Sequence, residues 1–188
     1  MGKLLLIKHS NPILDSEKPS NQWVLSEEGK QRALLLANQL ENYQFSQIFS
    51  SVEPKARETA DIVANNLGKK VLEKENLHEH RRESNRIIYP RDEFENIMKK
   101  FFHYPDQLIF GEETARQAKG RFEKAVLEIT NNIQHDEDLV IITHGTVITL
   151  FVSNYNFIDC FQFWNSLGMP SVVELKLDDF QLNQVIYL

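Results

Sequence analysis

The sequence contains one cysteine, Cys160, so no internal disulfide can hold the chain together. Stability has to come from a buried core, and a reducing, cytoplasmic setting is expected. With Phe161 and Phe163 beside it, the Cys160 thiol is expected to be buried and unreactive. Seven glycines and six prolines in 188 residues exclude collagen-like and low-complexity classes. Positive charge is not in excess either. Lys and Arg number 21 against 27 Asp and Glu, a net charge of −6, which argues against a broad nucleic-acid or anionic-membrane surface and confines any anion site to a local pocket. No apolar run is long enough to cross a bilayer. The opening Met-Gly-Lys and four apolar residues fall short of a secretory signal. A soluble, single domain over residues 1–188 is expected.

What is present is alternation of two kinds of apolar pattern. Leu4 to Ile7 and Leu139 to Ile142 are continuous apolar runs of strand length, the signature of strands covered on both faces in a parallel sheet. Helical spacing marks Ser26 to Tyr43, with Ser26 as N-cap, and Pro54 to Leu67, with Gly68 placed to end it. It returns at Asp92 to Phe102 and at Glu112 to Gln134. Gln47 to Ser51 reads as a short strand, and Ser171 to Leu177 and Gln184 to Leu188 as closing strands of antiparallel character. Ser10 to Gln22, with two prolines and several Ser and Asn, reads as a loop. Strands alternating with helices predict an α/β protein, a three-layer αβα sandwich around a mostly parallel sheet.

Ligands of open parallel sheets bind beyond the carboxyl ends of the strands. His9 follows the first strand. Ser50 and Ser51 close the second, with Arg57 on the helix beyond, and His144-Gly145 follows the late strand. A single histidine or arginine at a strand end usually packs or caps; two histidines, an arginine and Lys8 at one sheet edge make a cationic pocket. Such a pocket suits a phosphate monoester, a dianion that needs cations, hydrogen-bond donors and an in-line nucleophile. A neutral imidazole on His9 can attack phosphorus. Lys8 and Arg57 supply charge, His144 a donor, and the backbone near Thr146 the N–H groups of a helix start.

Four segments, in order, then carry a family resemblance. Leu4-Leu5-Leu6-Ile7-Lys8-His9-Ser10 resembles the opening Arg-His-Gly motif of the histidine phosphatase superfamily, the phosphoglycerate mutase-like group. Leu25-Ser26-Glu27-Glu28-Gly29 resembles its Leu-Thr-x-x-Gly helix start, Ser50-Ser51 with Ala56-Arg57-Glu58-Thr59-Ala60 its second motif, and Thr143 to Ile148 its late His-Gly motif. The resemblance implies that His9 is the phosphorylated nucleophile and that Arg57 and His144 are phosphate ligands. It also implies a carboxylic acid as proton donor and no metal or other cofactor. The family's Leu-x-Glu pattern fits Leu77-His78-Glu79, which selects Glu79, with Glu83 as the alternative. A donor is expected to have a raised pKa.

Lys8 stands where the family has arginine and gives up the planar fork that grips phosphate oxygens in pairs. Ser10 stands where it has glycine, adding a side chain where the backbone is expected to need close approach or an unusual dihedral, or else a hydroxyl that contacts substrate. These departures leave open a weakly active or non-catalytic phospho-ligand-binding relative. Residues 78–110 are expected to form a cap over the site, and the basic run from His78 to Arg86 to meet either solvent or a second anionic group. The expected activity is phosphomonoester hydrolysis on a small phosphorylated substrate. The alternatives are a mutase-type phosphotransferase and, through His78-x-His80, a metal-dependent hydrolase. Oligomeric state and substrate identity have no code in the sequence.

Overall fold

The computed structural model describes residues 2–132 and 137–188. In β1 (Lys3–Lys8) successive side chains face opposite sides of the sheet. Leu4 and Leu6 pack with Leu139, Ile141, Phe122, Val126, Val147 and Phe151 on one side. Leu5 and Ile7 pack with Ile48, Val140, Ile142, Leu36, Leu40, Ala60 and Val63 on the other. Continuous apolarity is therefore explained by helices on both faces. The first layer comprises α4 (Ala115–Thr130) and α5 (Gly145–Tyr155), the second α1 (Glu27–Leu40) and α2 (Pro54–Leu67). The result is the predicted αβα sandwich.

The sheet between them runs β3-β2-β4-β1-β5-β6. Here β2 is Gln47–Ser50, β3 is Lys70–Glu73 and β4 is Leu139–Thr143, all parallel to their neighbours. Strands β5 (Ser171–Lys176) and β6 (Leu182–Tyr187) close it in antiparallel pairings. The short edge strand β3, whose pattern Lys-Val-Leu-Glu lacks any run of apolar residues, has no counterpart in the sequence reading. A third apolar cluster joins Met98 and Phe101 of α3 (Arg91–His103) to Ala115, Ala118 and Leu150, with Phe94 and Trp164 packed against it. Trp164 belongs to α6 (Cys160–Ser166), a seven-residue helix that was also not anticipated. There Cys160 is only partly covered, not buried as expected, because it opens a short helix at the protein's rim. Helix α4 ends at Thr130, and the predicted extension over Ile133 and Gln134 lies outside the described residues.

One close approach fixes the loop that leaves β1. Ser26 caps α1 by accepting from the Gly29 N–H at 3.0 Å, and its own N–H donates to the Asn11 carbonyl at 3.0 Å. The same carbonyl lies so near Gly29 that a Cβ there would stand 2.1 Å from its oxygen. Gly29→Ala must push the backbone at Asn11 away, and overpacking of this kind costs about 1–3 kcal/mol. Denaturant unfolding is expected to show that loss, with a parallel fall in activity because His9 lies two residues before Asn11. Unchanged stability would mean that the loop is not seated on α1.

Candidate active site

Sheet register brings the strand ends together. Lys8 of β1 is paired with Thr143 of β4, so the next residues, His9 and His144, leave adjacent strands at one level. The His9 N–H donates to the Thr143 carbonyl at 2.9 Å, and the two imidazole centroids lie 5.1 Å apart, edge to face. On the other flank of β4, the Ser51 N–H donates to the Ile142 carbonyl at 3.0 Å. His144 Nε2 lies 2.8 Å from Ser51 Oγ and 3.6 Å from Glu53 Oε1, and Nδ1 has no partner among the described residues.

The His9 tautomer follows from its neighbour. His9 Nδ1 is 2.7 Å from the Ser10 carbonyl oxygen. A carbonyl can only accept, so Nδ1 carries the hydrogen and Nε2 keeps its lone pair. Beside this ring opens a cavity of about 300 Å³. Lys8, His9, Lys55, Glu79, Arg82, Gly145 and Thr146 supply its polar wall, while Leu14, Trp23, Phe94, Trp164 and Met169 are among its apolar residues. Lys8 reaches the cavity across Gly145, where a Cβ would lie 3.2 Å from its Cε, and its Nζ donates to the Leu167 carbonyl at 2.8 Å.

Glu79 arrives on the segment after β3. Leu77 is fully buried beneath it, and the Leu77 carbonyl accepts from the Thr143 hydroxyl at 2.5 Å. The Glu79 N–H donates to Glu53 Oε1 at 2.8 Å. From α4, Arg121 donates to the carbonyls of Asn76, His78 and Glu79 and to both oxygens of Glu113, which holds the segment in place. The Glu79 carboxylate accepts from the Thr146 N–H at 3.3 Å, at the start of α5, where the helix dipole favours a negative charge.

Arg57 is not in the site. Its guanidinium pairs with Asp61, 2.9 Å away, and with Glu73, on the outer side of α2. The cation that α2 brings to the cavity wall is Lys55, whose Nζ donates to Glu53 Oε2 and to the Ser20 carbonyl, each at 2.5 Å. Residues two apart on a helix point in different directions, whereas i and i+4 share a face. Lys55 shares its face with Thr59, whose hydroxyl oxygen accepts from the Ser10 N–H at 3.1 Å. Neither Lys55 nor Glu53 was singled out in the sequence. The signal was there in the buried stripe of α2, which runs Lys55, Ala56, Thr59, Ala60, Val63 and leaves Arg57 out.

The histidine phosphatase superfamily (branch 1) model matches residues 5–185. The chain belongs to that superfamily. No curated protein matches it. Solved structures share the fold of this histidine phosphatase family member. One is Bacillus stearothermophilus YhfR, 22% identical, with 99% of this chain and 96% of that one covered and a TM-score of 0.74. A second is a phosphoserine phosphatase mutant from Entamoeba histolytica in complex with phosphoserine, at 18% identity, 99% and 97% coverage and a TM-score of 0.78. A third is a mycobacterial glucosyl-3-phosphoglycerate phosphatase, at 16% identity, 99% and 98% coverage and a TM-score of 0.73.

In this family member the departures at residues 8 and 10 have structural accommodations. Ser10 is fully buried, its φ is not among the positive ones, and its Oγ has no partner among the described residues. It does not line the cavity, contrary to its expected role in substrate contact, because its backbone is tied to Thr59 on α2. The two histidines of the metal-dependent alternative, His78 and His80, turn to different partners. His80 lies between Phe101 and Phe110 and its Nε2 donates to the Glu113 carbonyl, while His78 Nδ1 meets the Glu79 carbonyl.

Burial, with His144 and Lys55 nearby, pushes the His9 imidazole well below its usual pKa. The ring is neutral at physiological pH, as a nucleophile must be. Burial and Lys55 likewise hold His144 down. For Glu79, burial raises the pKa, but His144, Arg82 and the His80 N–H outweigh it, and the carboxyl titrates below its ordinary value. The expectation of a raised pKa therefore fails for the free protein, because the cationic pocket stabilises the anion more than burial disfavours it.

Burial lowers the Lys8 ammonium to about 8 against the pull of Glu79. Lys8 is thus a cation below that pH and neutral above it. Inorganic phosphate is already a dianion at pH 8, so its affinity as a competitive inhibitor is expected to fall as pH rises through about 8. In Lys8→Met that fall should be absent. An identical pH profile in wild type and variant would remove Lys8 from anion binding.

Proposed function

We propose that the protein hydrolyses phosphomonoesters in two displacements through a phosphohistidine on His9. The observation that carries this reading is the bare Nε2 of a neutral, tautomerically fixed imidazole beside a cavity that also holds two lysines and one carboxyl group. Lys8, Lys55 and the N–H groups at the start of α5 suit the charge on the phosphoryl oxygens. His144, with Nδ1 unpartnered beside the His9 ring, supplies a further donor once it takes a proton from the incoming phosphate or from solvent.

His9 Nε2 forms the bond to phosphorus as the ester P–O bond breaks, and Glu79 delivers a proton to the leaving alcohol. Because Glu79 is ionised in the free protein, that proton enters with the substrate, as the ester monoanion or through a pKa raised by the bound dianion. Water then attacks phosphorus, Glu79 takes a proton from it, the P–N bond breaks and phosphate departs. Residues 78–110 act as a cap, placing Arg82 and Phe94 over the cavity. The free Cys160 and the absence, among the described residues, of a helix able to cross a membrane fit action in the cytoplasm on a small phosphorylated substrate.

Two in-line displacements invert phosphorus twice. A thiophosphate ester made chiral with oxygen isotopes is therefore expected to be hydrolysed with overall retention. Inversion would signal a single direct attack by water. Transfer of the group to substrate hydroxyls in preference to water would make the protein a mutase-type phosphotransferase.

A further inference from the structure

The outer part of the cavity is aromatic, and beyond it lies a second chamber. Phe94 stands edge to face with Trp164 at 5.7 Å and stacks on Tyr89 at 6.3 Å. Trp23, on the loop after β1, is fixed by its indole N–H, which donates to the carbonyl of Asp15 at 2.9 Å. An adjoining chamber of about 170 Å³ shares Leu14, Trp23, Arg82 and Phe94 with the main cavity and adds Ile87, Ile88 and Tyr89. An apolar chamber of about 150 Å³ is enough to hold a benzene ring. Leu14, Ile87 and Ile88 are 58%, 65% and 42% exposed at this entrance.

Arg82 separates the two chambers, but not as a free ionic partner. Its Nε donates to Ser20 Oγ at 3.2 Å, and its guanidinium carbon lies over the rings of Phe94 at 5.3 Å and Phe110 at 5.8 Å. A guanidinium held this way offers a flat, weakly hydrated surface for a further ring. The exposed Arg86 is the other cation of the outer chamber. A substrate of the phosphoserine or phosphoglycerate kind, with a small carboxylated leaving group, would leave these rings uncovered.

We infer that the preferred substrate is a phosphomonoester whose alcohol carries a flat aromatic group, with the phosphoryl at His9 and the ring seated among Trp23, Phe94 and Arg82. The inference rests on the phosphatase reading and specifies its leaving group. Aryl esters react faster merely because aryl oxides leave well, so the test uses 2-naphthylmethyl phosphate, whose alkoxide is no better a leaving group than that of phosphoserine. Its kcat/KM is expected to exceed that of phosphoserine and of 3-phosphoglycerate by roughly ten- to a hundredfold, the range set by burial of one or two rings. Most of the difference should lie in KM, and Trp23→Ala should shrink the ratio.

Equal values, or preference for the carboxylated esters, would overturn the inference and leave the phosphatase reading intact. Turnover of none of the three would sink that reading. The pocket is then still judged by competition, against a fluorescent phosphate-site probe, between 2-naphthylmethylphosphonate and methylphosphonate on unaltered protein. Tenfold tighter binding of the naphthyl compound supports the aromatic seat, and equal binding refutes it.

Discussion

Replacing His9 with alanine is expected to reduce kcat by about 10⁴-fold or more, the scale seen when a covalent nucleophile is removed. The loss should be in kcat, with phosphate still binding, because Lys8, Lys55 and the start of α5 are untouched. The reason is geometric. Nε2 is held bare by the hydrogen bond from Nδ1 to the Ser10 carbonyl, and neither nearby serine can take its place. Ser51 is hydrogen-bonded to His144, and Ser10 is buried away from the cavity wall. Since the imidazole titrates well below its usual range, wild-type kcat/KM should not fall as pH drops through about 6.5, where an ordinary histidine becomes charged. A steep loss there, or near-normal turnover by His9→Ala, would refute the role.

The second large effect is expected at Glu79, and it depends on the leaving group. Glu79→Gln keeps the shape of the side chain but has no proton to give. For esters of ordinary alcohols the rate of the first step should fall by about 10²- to 10⁴-fold, the usual worth of general acid–base catalysis. For 2,4-dinitrophenyl phosphate, whose leaving oxide needs no proton, formation of the phosphohistidine should be nearly unaffected, and only its hydrolysis should slow. The ionised state of Glu79 in the free protein adds a pH signature. Productive binding requires one proton shared between Glu79 and the ester. For poor leaving groups, wild-type kcat/KM should therefore decline as pH rises through the second ionisation of the ester, near 6. A uniform loss across all leaving groups would assign Glu79 a structural role instead, and a leaving-group-dependent loss in Glu83→Gln would move the donor there.

Much of this arrangement was legible in the sequence because burial on both faces leaves a plain mark. The runs Leu4 to Ile7 and Leu139 to Ile142 identify the two central strands, and the residues that follow them, His9 and His144, meet as expected. What escaped has physical reasons. Strand β3 is a four-residue edge strand with little burial to pattern it. Helix α6 is short and takes its order from aromatic contacts with α3, not from a long apolar stripe. Arg57 stands out by residue type and motif, whereas helical phase is decisive and puts Lys55, within the buried stripe of α2, toward the site. Glu53 was missed with it, because a carboxylate that holds Lys55 and accepts from the Glu79 N–H is defined only by the folded contacts.

The central claim, covalent transfer to His9, is tested most directly by trapping. Wild-type protein mixed with excess labelled ester and quenched in alkali within the first turnovers is expected to carry label, and peptide mapping should place it on His9 as an acid-labile, base-stable phosphoryl group. Continued release of phosphate with no label on His9, or label on another residue, would contradict the account.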